Sequence, residues 1–244
     1  GLEKLDHKVC SAICGSEKYK GGILDMNAAH LHPLRFVFGL AKAAIQAGAD
    51  IFEKSEVRSL LPGKVNRTLT NSGEIQSEFV VLGCNGYLGN LEQKVAAKVM
   101  PINNFIVATE PLGDRAKSVL AKDIAVADTK FVVNYFRLSN DQRLLFGGGE
   151  NYSYKFPTNI TSTVLKPMLE IFPHLSNVKI DYAWGGTLGI TMNRMPYFCR
   201  VTDTILSASG FSGHGVGTAT HAGKLLSLAI NGQQDGFNTM ANIP

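Results

Sequence analysis

The segment Ile205-Leu206-Ser207-Ala208-Ser209-Gly210-Phe211-Ser212-Gly213-His214-Gly215-Val216-Gly217 constrains the chain more than any other. An apolar run that reads as a buried strand enters a turn with four glycines, and a helix follows. The helix face is Val216, Ala219, Ala222, Leu226 and Ala229, and the helix stops at Asn231-Gly232. Glycines at a helix start remove side chains where a ligand must touch backbone N–H groups, and the helix dipole there favours negative charge. An anionic or electron-rich guest fits this turn. A tight strand-to-helix turn with no ligand fits it too, and spacing alone leaves both open. Gly215 is expected to need a positive φ.

The rest of the chain can supply the core such a unit needs. Of 244 residues, 45% are hydrophobic and 18% charged, and 25 are glycine, as expected for a globular chain with many tight turns or close backbone approaches to a ligand. The length allows one large domain or two small ones. The formal charge of +4 is spread without a basic run, which argues against a nucleic-acid partner. Cys10, Cys14, Cys84 and Cys199 form no CxxC pair and have no histidines at zinc spacing, so neither a disulfide framework nor a metal site is expected. With no apolar stretch of membrane length and a polar start at Gly1-Leu2-Glu3-Lys4, the expected location is the cytoplasm, with no membrane partner.

Periodicity fills in the elements. A helix is predicted from His32-Pro33 to Gly48, with Leu34, Val37, Phe38, Ala41, Ala44 and Ile45 on a buried face. Strands are predicted at 50–53 and 55–60, a hairpin at 64–70 and 74–78 around Asn71-Ser72-Gly73, and a buried strand at 79–82 that delivers the turn Gly83-Cys84-Asn85-Gly86. Longer strands at 104–109, 130–138 and 143–146 imply an antiparallel sheet. A helix over 158–171 should kink or shorten at Pro167, and a strand at 178–184 should break at Gly185-Gly186. No GxGxxG or P-loop motif occurs, and Ser212 is not the centre of GxSxG. His214 reads either as a base or as a cap, while His30 and His32 read as structural.

The runs Tyr182-Ala183-Trp184-Gly185-Gly186, Asn193-Arg194-Met195-Pro196 and Gly210 to Val216, in this order, resemble the C-terminal half of the D-amino acid oxidase superfamily of FAD-dependent oxidoreductases. Asn85-Gly86-Tyr87-Leu88, Met100-Pro101, Thr109 to Leu112, Asn134 to Arg137 and Leu144 to Gly148 bring the resemblance nearest to the γ-glutamylputrescine oxidase branch. The resemblance implies an α/β plus α+β fold: an incomplete FAD-binding α/β domain (28–90 and 198–244) interleaved with a substrate domain on a mixed antiparallel sheet (1–27 and 91–197).

It further implies an amine or amino-acid oxidase: hydride passes from the amine carbon to flavin N5, and oxygen reoxidises the flavin. The turn Gly210, Phe211, Ser212, Gly213, His214, Gly215 and Val216 would lie against the flavin pyrimidine edge. Gly83, Cys84, Asn85 and Gly86 would lie near the diphosphate, Val57 on the adenine side, and Gly185 beside the cofactor. Arg137, sharing a strand face with Tyr135, is the candidate receptor for a substrate carboxylate, against a surface arginine paired with an acid. Trp184 reads as a wall of the flavin pocket or as core, and Arg194 is a third candidate for catalysis. Cys84 and Cys199 read either as covalent carriers of the flavin or, preferred for each, as inert buried thiols.

Members of the superfamily open with a strand, GxGxxG and helix that hold the ADP part of FAD, and nothing of the kind precedes Gly1. The expectation is a truncated chain that binds FAD weakly or not at all, with 79–82 at an uncovered sheet edge through which chains could associate. The alternative is a non-catalytic fragment, or a module binding a small molecule or a protein, that has lost FAD.

Overall fold

The computed structural model describes residues 1–152 and 155–243. In chain order the elements are β1 (Leu2–Leu5), α1 (His7–Cys14), β2 (Gly22–Asp25), α2 (Pro33–Gln46), β3 (Val57–Leu61), β4 (Asn66–Thr70), β5 (Glu74–Ser77), β6 (Val80–Leu82), α3 (Gln93–Ala96) and β7 (Met100–Pro111). They continue with β8 (Ala125–Ala127), β9 (Tyr135–Leu138), β10 (Arg143–Asn151), α4 (Ile160–Ile171), β11 (Ile180–Ile190), β12 (Tyr197–Thr202), β13 (Ile205–Ser209), α5 (Gly215–Ile230) and α6 (Asp235–Ala241). The chain forms two compact units, each of two segments: Gly1–His32 with Asn103–Gly186, and Pro33–Ile102 with Thr187–Pro244.

The first unit is built on a five-stranded sheet in the order β11-β7-β10-β9-β8. Alternation sets its faces, since successive side chains of a strand point to opposite sides. Val107 and Phe105 of β7, Phe136 of β9, and Leu144 and Phe146 of β10 are buried against Val164, Met168 and Ile171 of α4 and against Phe172. Phe136 and Phe146 stack with centroids 5.7 Å apart, and Phe172 meets both rings edge-on. Helix α1 begins at Asp6, whose carboxylate accepts the Val9 N–H at 2.8 Å, and buries Cys10, Ile13 and Cys14.

The second unit holds two small sheets. In one, of order β12-β13-β6, β13 pairs antiparallel with β12 and parallel with β6, Ile205 opposite Val80 and Ser207 opposite Leu82. Ala222, Leu225, Leu226 and Ala229 of α5 and Phe237 of α6 pack on Phe198, Leu206 and Ala208. Leu82, Val95, Val99, Cys199 and Ile205 form a separate buried cluster. The other sheet, β3-β4-β5, is antiparallel and contains the hairpin expected around Asn71-Ser72-Gly73.

Several expectations are corrected. Helix α2 forms where predicted and Gly48 follows with φ 93°, but Leu34, Val37, Phe38 and Ile45 are exposed and none of its residues is fully buried, because no element of its own unit covers that face. Residues 50–53 are not a strand: Ile51 and Phe52 are exposed, without a ladder partner. Of 130–138, only β9 pairs; Asp128 instead folds the preceding loop by accepting the Lys130 and Asn134 backbone N–H groups and the Asn134 amide. Helix α4 runs through Pro167, and β11 runs through Gly185-Gly186. A Cβ at Gly185 would fall 2.5 Å from the Phe156 ring and 2.7 Å from Phe105, so here glycine admits an aromatic side chain over the strand rather than ending it. On α5 the buried positions are Ala222, Leu225, Leu226 and Ala229, while Val216 and Ala219 are exposed.

Phe146 is fully buried between two rings, whereas Phe131 is 79% exposed. Phe146→Ala is expected to cost about 3–5 kcal/mol in urea unfolding, and Phe131→Ala less than about 0.5 kcal/mol. Equal effects would show that the aromatic cluster does not hold this unit together.

Candidate functional site

Parallel pairing of β6 with β13 brings the carboxyl ends of both strands out on one side, the usual mouth of a site in an α/β sheet. From β6 the chain turns through Gly83-Cys84-Asn85-Gly86, and from β13 through Gly210-Phe211-Ser212-Gly213-His214 into α5. A side-chain-to-backbone bond joins the two turns: Asn85 Oδ1 accepts the Gly210 N–H at 3.0 Å. A third segment, the end of β11, is tied to the second turn. Ser212 N–H donates to the Gly189 carbonyl at 2.9 Å, and Thr191 N–H donates to Ser212 Oγ at 3.3 Å.

The second turn is left-handed at Gly210 (φ 68°), Ser212 (φ 51°) and Gly213 (φ 91°). Gly215 is not among the positive-φ residues; it is the first residue of α5, and a Cβ there would meet only the Phe211 side chain at 3.6 Å, an ordinary contact. His214 stands at the helix cap and makes no side-chain capping bond. The backbone N–H groups of Gly215, Val216 and Gly217 have no acceptor among the described residues, and no Cβ contact would arise at Gly213 or Gly217. Three open donors at the positive end of a 16-residue helix suit an electron-rich edge of a ligand. Beside them lies an apolar groove of about 390 Å³, lined by Phe36, Val37 and Leu40 of α2 and by Gly215, Val216 and Ala219 of α5. The exposed α2 face and Val216, 49% exposed, thus border one surface.

Close approach explains two further glycines of the constellation, Gly86 and Gly210. A Cβ at Gly86 would sit 2.6 Å from the Leu188 carbonyl oxygen, and one at Gly210 would sit 2.5 Å from Thr191 Cγ2. Gly83 borders open space. Burial raises the Cys84 thiol above its ordinary range, which keeps it protonated and a poor nucleophile. Cys199 is buried, and the four cysteines are free thiols. Val57 opens β3, opposite Thr70. Arg194, exposed with φ 63°, occupies a turn that donates back to the Thr191 carbonyl.

Arg137, Trp184 and Gly185 belong to the other unit. Tyr135 and Arg137 lie on the β9 face opposite buried Phe136, and the Tyr135 hydroxyl donates to Asn104 Oδ1. The Tyr135 ring occupies the space a Cβ at Gly147 would need. Burial, with the Glu150 charge adding, pushes the Tyr135 phenol up to about 12. The half-buried Arg137 guanidinium donates to the neighbouring Leu138 carbonyl at 3.3 Å and has no carboxylate at ion-pair distance among the described residues. The opposite case is Arg143, held by Asp141 at 2.7 Å and Asp181 at 2.6 Å. Trp184 is 42% exposed and therefore not core. Gly189, Thr191 and Asn104 carry no sequence signal; their types are unremarkable, and only the folded contacts single them out.

Residues 1–228 match the family model described as FAD dependent oxidoreductase, DAO. The chain belongs to the DAO family. It is 40% identical over 225 residues to the "Probable oxidoreductase OrdL" of Rhizobium meliloti, covering 92% of this chain and 52% of that protein. It is 36% identical over 246 residues to the gamma-glutamylputrescine oxidoreductase of Escherichia coli, covering 100% of this chain and 58% of that protein. Among solved structures, L-proline dehydrogenase from P. horikoshii superposes with a TM-score of 0.79 at 21% identity, over 94% of this chain and 64% of that one. Glycine oxidase from Geobacillus kaustophilus gives 0.78 at 18%, over 93% and 62%. The chain therefore has the DAO-family fold and spans somewhat more than half the length of these curated relatives. No helix among the described residues is long and apolar enough to cross a membrane.

Gly210→Ala combines a left-handed backbone with a clash on Thr191, so a loss of about 1–3 kcal/mol in thermal unfolding is expected. Gly217→Ala is helical and unobstructed, and should be neutral or stabilise by up to about 1 kcal/mol. For Tyr135 the folded phenol has the raised pKa, so its stabilisation is complete below pH 10 and is lost as pH rises towards 12. Tyr135→Phe should flatten that alkaline limb of the stability profile.

Proposed function

We propose that the chain is the flavin-edge and substrate-receiving part of an FAD-dependent oxidoreductase that oxidises an amine or amino acid carrying a carboxylate. Residues 33–102 and 187–244 would serve the cofactor, and residues 1–32 and 103–186 the substrate. The observation that carries the cofactor half is the open start of α5: three unpaired N–H groups follow a glycine turn in which no side chain intrudes at Gly213. When bound, FAD would accept a hydride from the carbon bearing the amine, and oxygen would take up the electrons to give hydrogen peroxide.

The chain's own residues would act as follows. Gly215, Val216 and Gly217 would offer backbone donors to the electron-rich pyrimidine edge, where negative charge grows on reduction. Gly83 to Gly86 and Val57 would lie towards the diphosphate and adenine ends. Arg137 would bind the substrate carboxylate with its planar fork, and it has no internal anion to compete. Tyr135, protonated throughout the ordinary pH range, holds Asn104 on the same sheet. Trp184 would border the substrate, and Gly185 keeps Phe156 seated over Phe105, their centroids 5.8 Å apart.

Titration calorimetry of FAD into the 244-residue chain tests the cofactor half. The expected result is weak but measurable binding, because few groups here serve the adenine and diphosphate, and no uptake at millimolar FAD would overturn it. For the substrate half, Arg137→Ala should weaken binding of a carboxylate-bearing amine by about 1.5–3 kcal/mol while barely changing that of the same amine without the carboxylate. Arg137→Lys should recover only part of the loss. Equal losses for both amines would reassign Arg137 to the fold.

A further inference from the structure

Asn85 stands among the residues expected to touch the cofactor, yet its amide oxygen is turned to the protein. It accepts the N–H of Gly210, a buried residue, at 3.0 Å. Three further observations centre on the same amide. Asn85 itself is left-handed (φ 47°), a conformation asparagine tolerates better than other side-chain-bearing residues, and it opens the 3-10 turn Asn85–Tyr87 that follows β6. Gly189 lies so close that its Cβ would fall on Asn85 Oδ1 and 2.9 Å from Val99 Cγ1, so the β11 end is glycine where the amide passes. On either side of it, Gly86 packs under the Leu188 carbonyl and the Tyr87 hydroxyl accepts the Thr187 N–H at 2.9 Å.

We infer that Asn85 is a positioning residue, whose amide oxygen clamps the Gly210 N–H and so holds the glycine turn in the shape that presents Gly215, Val216 and Gly217 to the flavin. The inference deepens the proposed function and rests on its cofactor half. The turn has little else to define it from the β6 side. Gly210 has no side chain, its φ is positive, and its N–H would lie buried without a partner if Asn85 were apolar. Thr191 and Ser212 hold the opposite flank, through Ser212 N–H to the Gly189 carbonyl and Thr191 Oγ1 to the Met195 carbonyl at 2.7 Å. The clamp thus acts at the first residue of the turn, and every later residue inherits its direction.

The test uses the flavin-free 244-residue chain first. Asn85→Leu keeps the size and removes the acceptor, Asn85→Asp keeps an acceptor oxygen, and Gly189→Ala pushes the amide aside while residue 85 stays asparagine. Amide hydrogen exchange at Gly210, read by NMR, should speed up by about tenfold in Asn85→Leu and in Gly189→Ala, and by less than about threefold in Asn85→Asp. Exchange along β12 should stay near that of the parent, which separates a local clamp from general loosening. FAD affinity by calorimetry should fall in the same order. Unchanged exchange at Gly210, acceleration spread evenly over β12 and β13, or loosening of Gly210 with undiminished FAD affinity would each overturn the inference. A parent chain that takes up no FAD would overturn the proposed function instead, and the exchange difference alone would then decide whether the clamp exists.

Discussion

Everything at the candidate site depends on the parallel pairing of Val80–Leu82 with Ile205–Ser207. Two parallel strands release their chains on the same side, so two turns that lie about 125 residues apart in sequence emerge next to each other. Backbone N–H groups freed there must find acceptors or be left for a ligand. Asn85 satisfies Gly210, the Gly189 carbonyl satisfies Ser212, and the donors of Gly215, Val216 and Gly217 remain open. A helix start left unpaired beside satisfied neighbours is the feature on which the proposed receptor for an electron-rich group rests.

The first unit uses a different physical division. In its five-stranded sheet one face is committed to packing: Phe105, Phe136 and Phe146 meet α4 and Phe172, and little there could change without a cavity. The alternation that buries Phe136 places Tyr135 and Arg137 on the other face. There Arg143 and Arg137 illustrate two fates of a cation. Arg143 bridges two carboxylates and lies 5.3 Å over the Tyr182 ring; its hydrogen bond holds Asp181 below the usual carboxylate range, and the Ser139 hydroxyl followed by Arg143 does the same for Asp141. Arg137 is left with a long bond to a carbonyl, so an external carboxylate would meet no competitor.

Much of this was legible from residue patterns. The strand–turn–helix at 205–230, the hairpin at 66–77, the strand before Gly83 and the shared face of Tyr135 and Arg137 follow from periodicities of 3.6 and 2 and from turn residues, which are local properties. The family, too, was readable from ordered short runs. What misled were signals whose meaning depends on a neighbour. Gly185-Gly186 reads as a break until Phe156 is seen to need the space, and Pro167 reads as a stop although α4 continues through it. The apolar stripe of α2 reads as buried because amphipathicity records which face seeks cover, not whether its own unit supplies the cover.

The sequence by itself determined most element types and the glycine turn, since backbone freedom and side-chain absence are written residue by residue. Only the tertiary structure decided which polar groups are already spoken for. That Asn85 turns its oxygen to Gly210, that Arg143 is neutralised while Arg137 is not, and that Gly189 and Thr191 belong to the site are matters of contacts between distant segments. Hydrogen bonds and ion pairs act over about 3–4 Å, and no local pattern reports which remote groups the fold will bring within that distance.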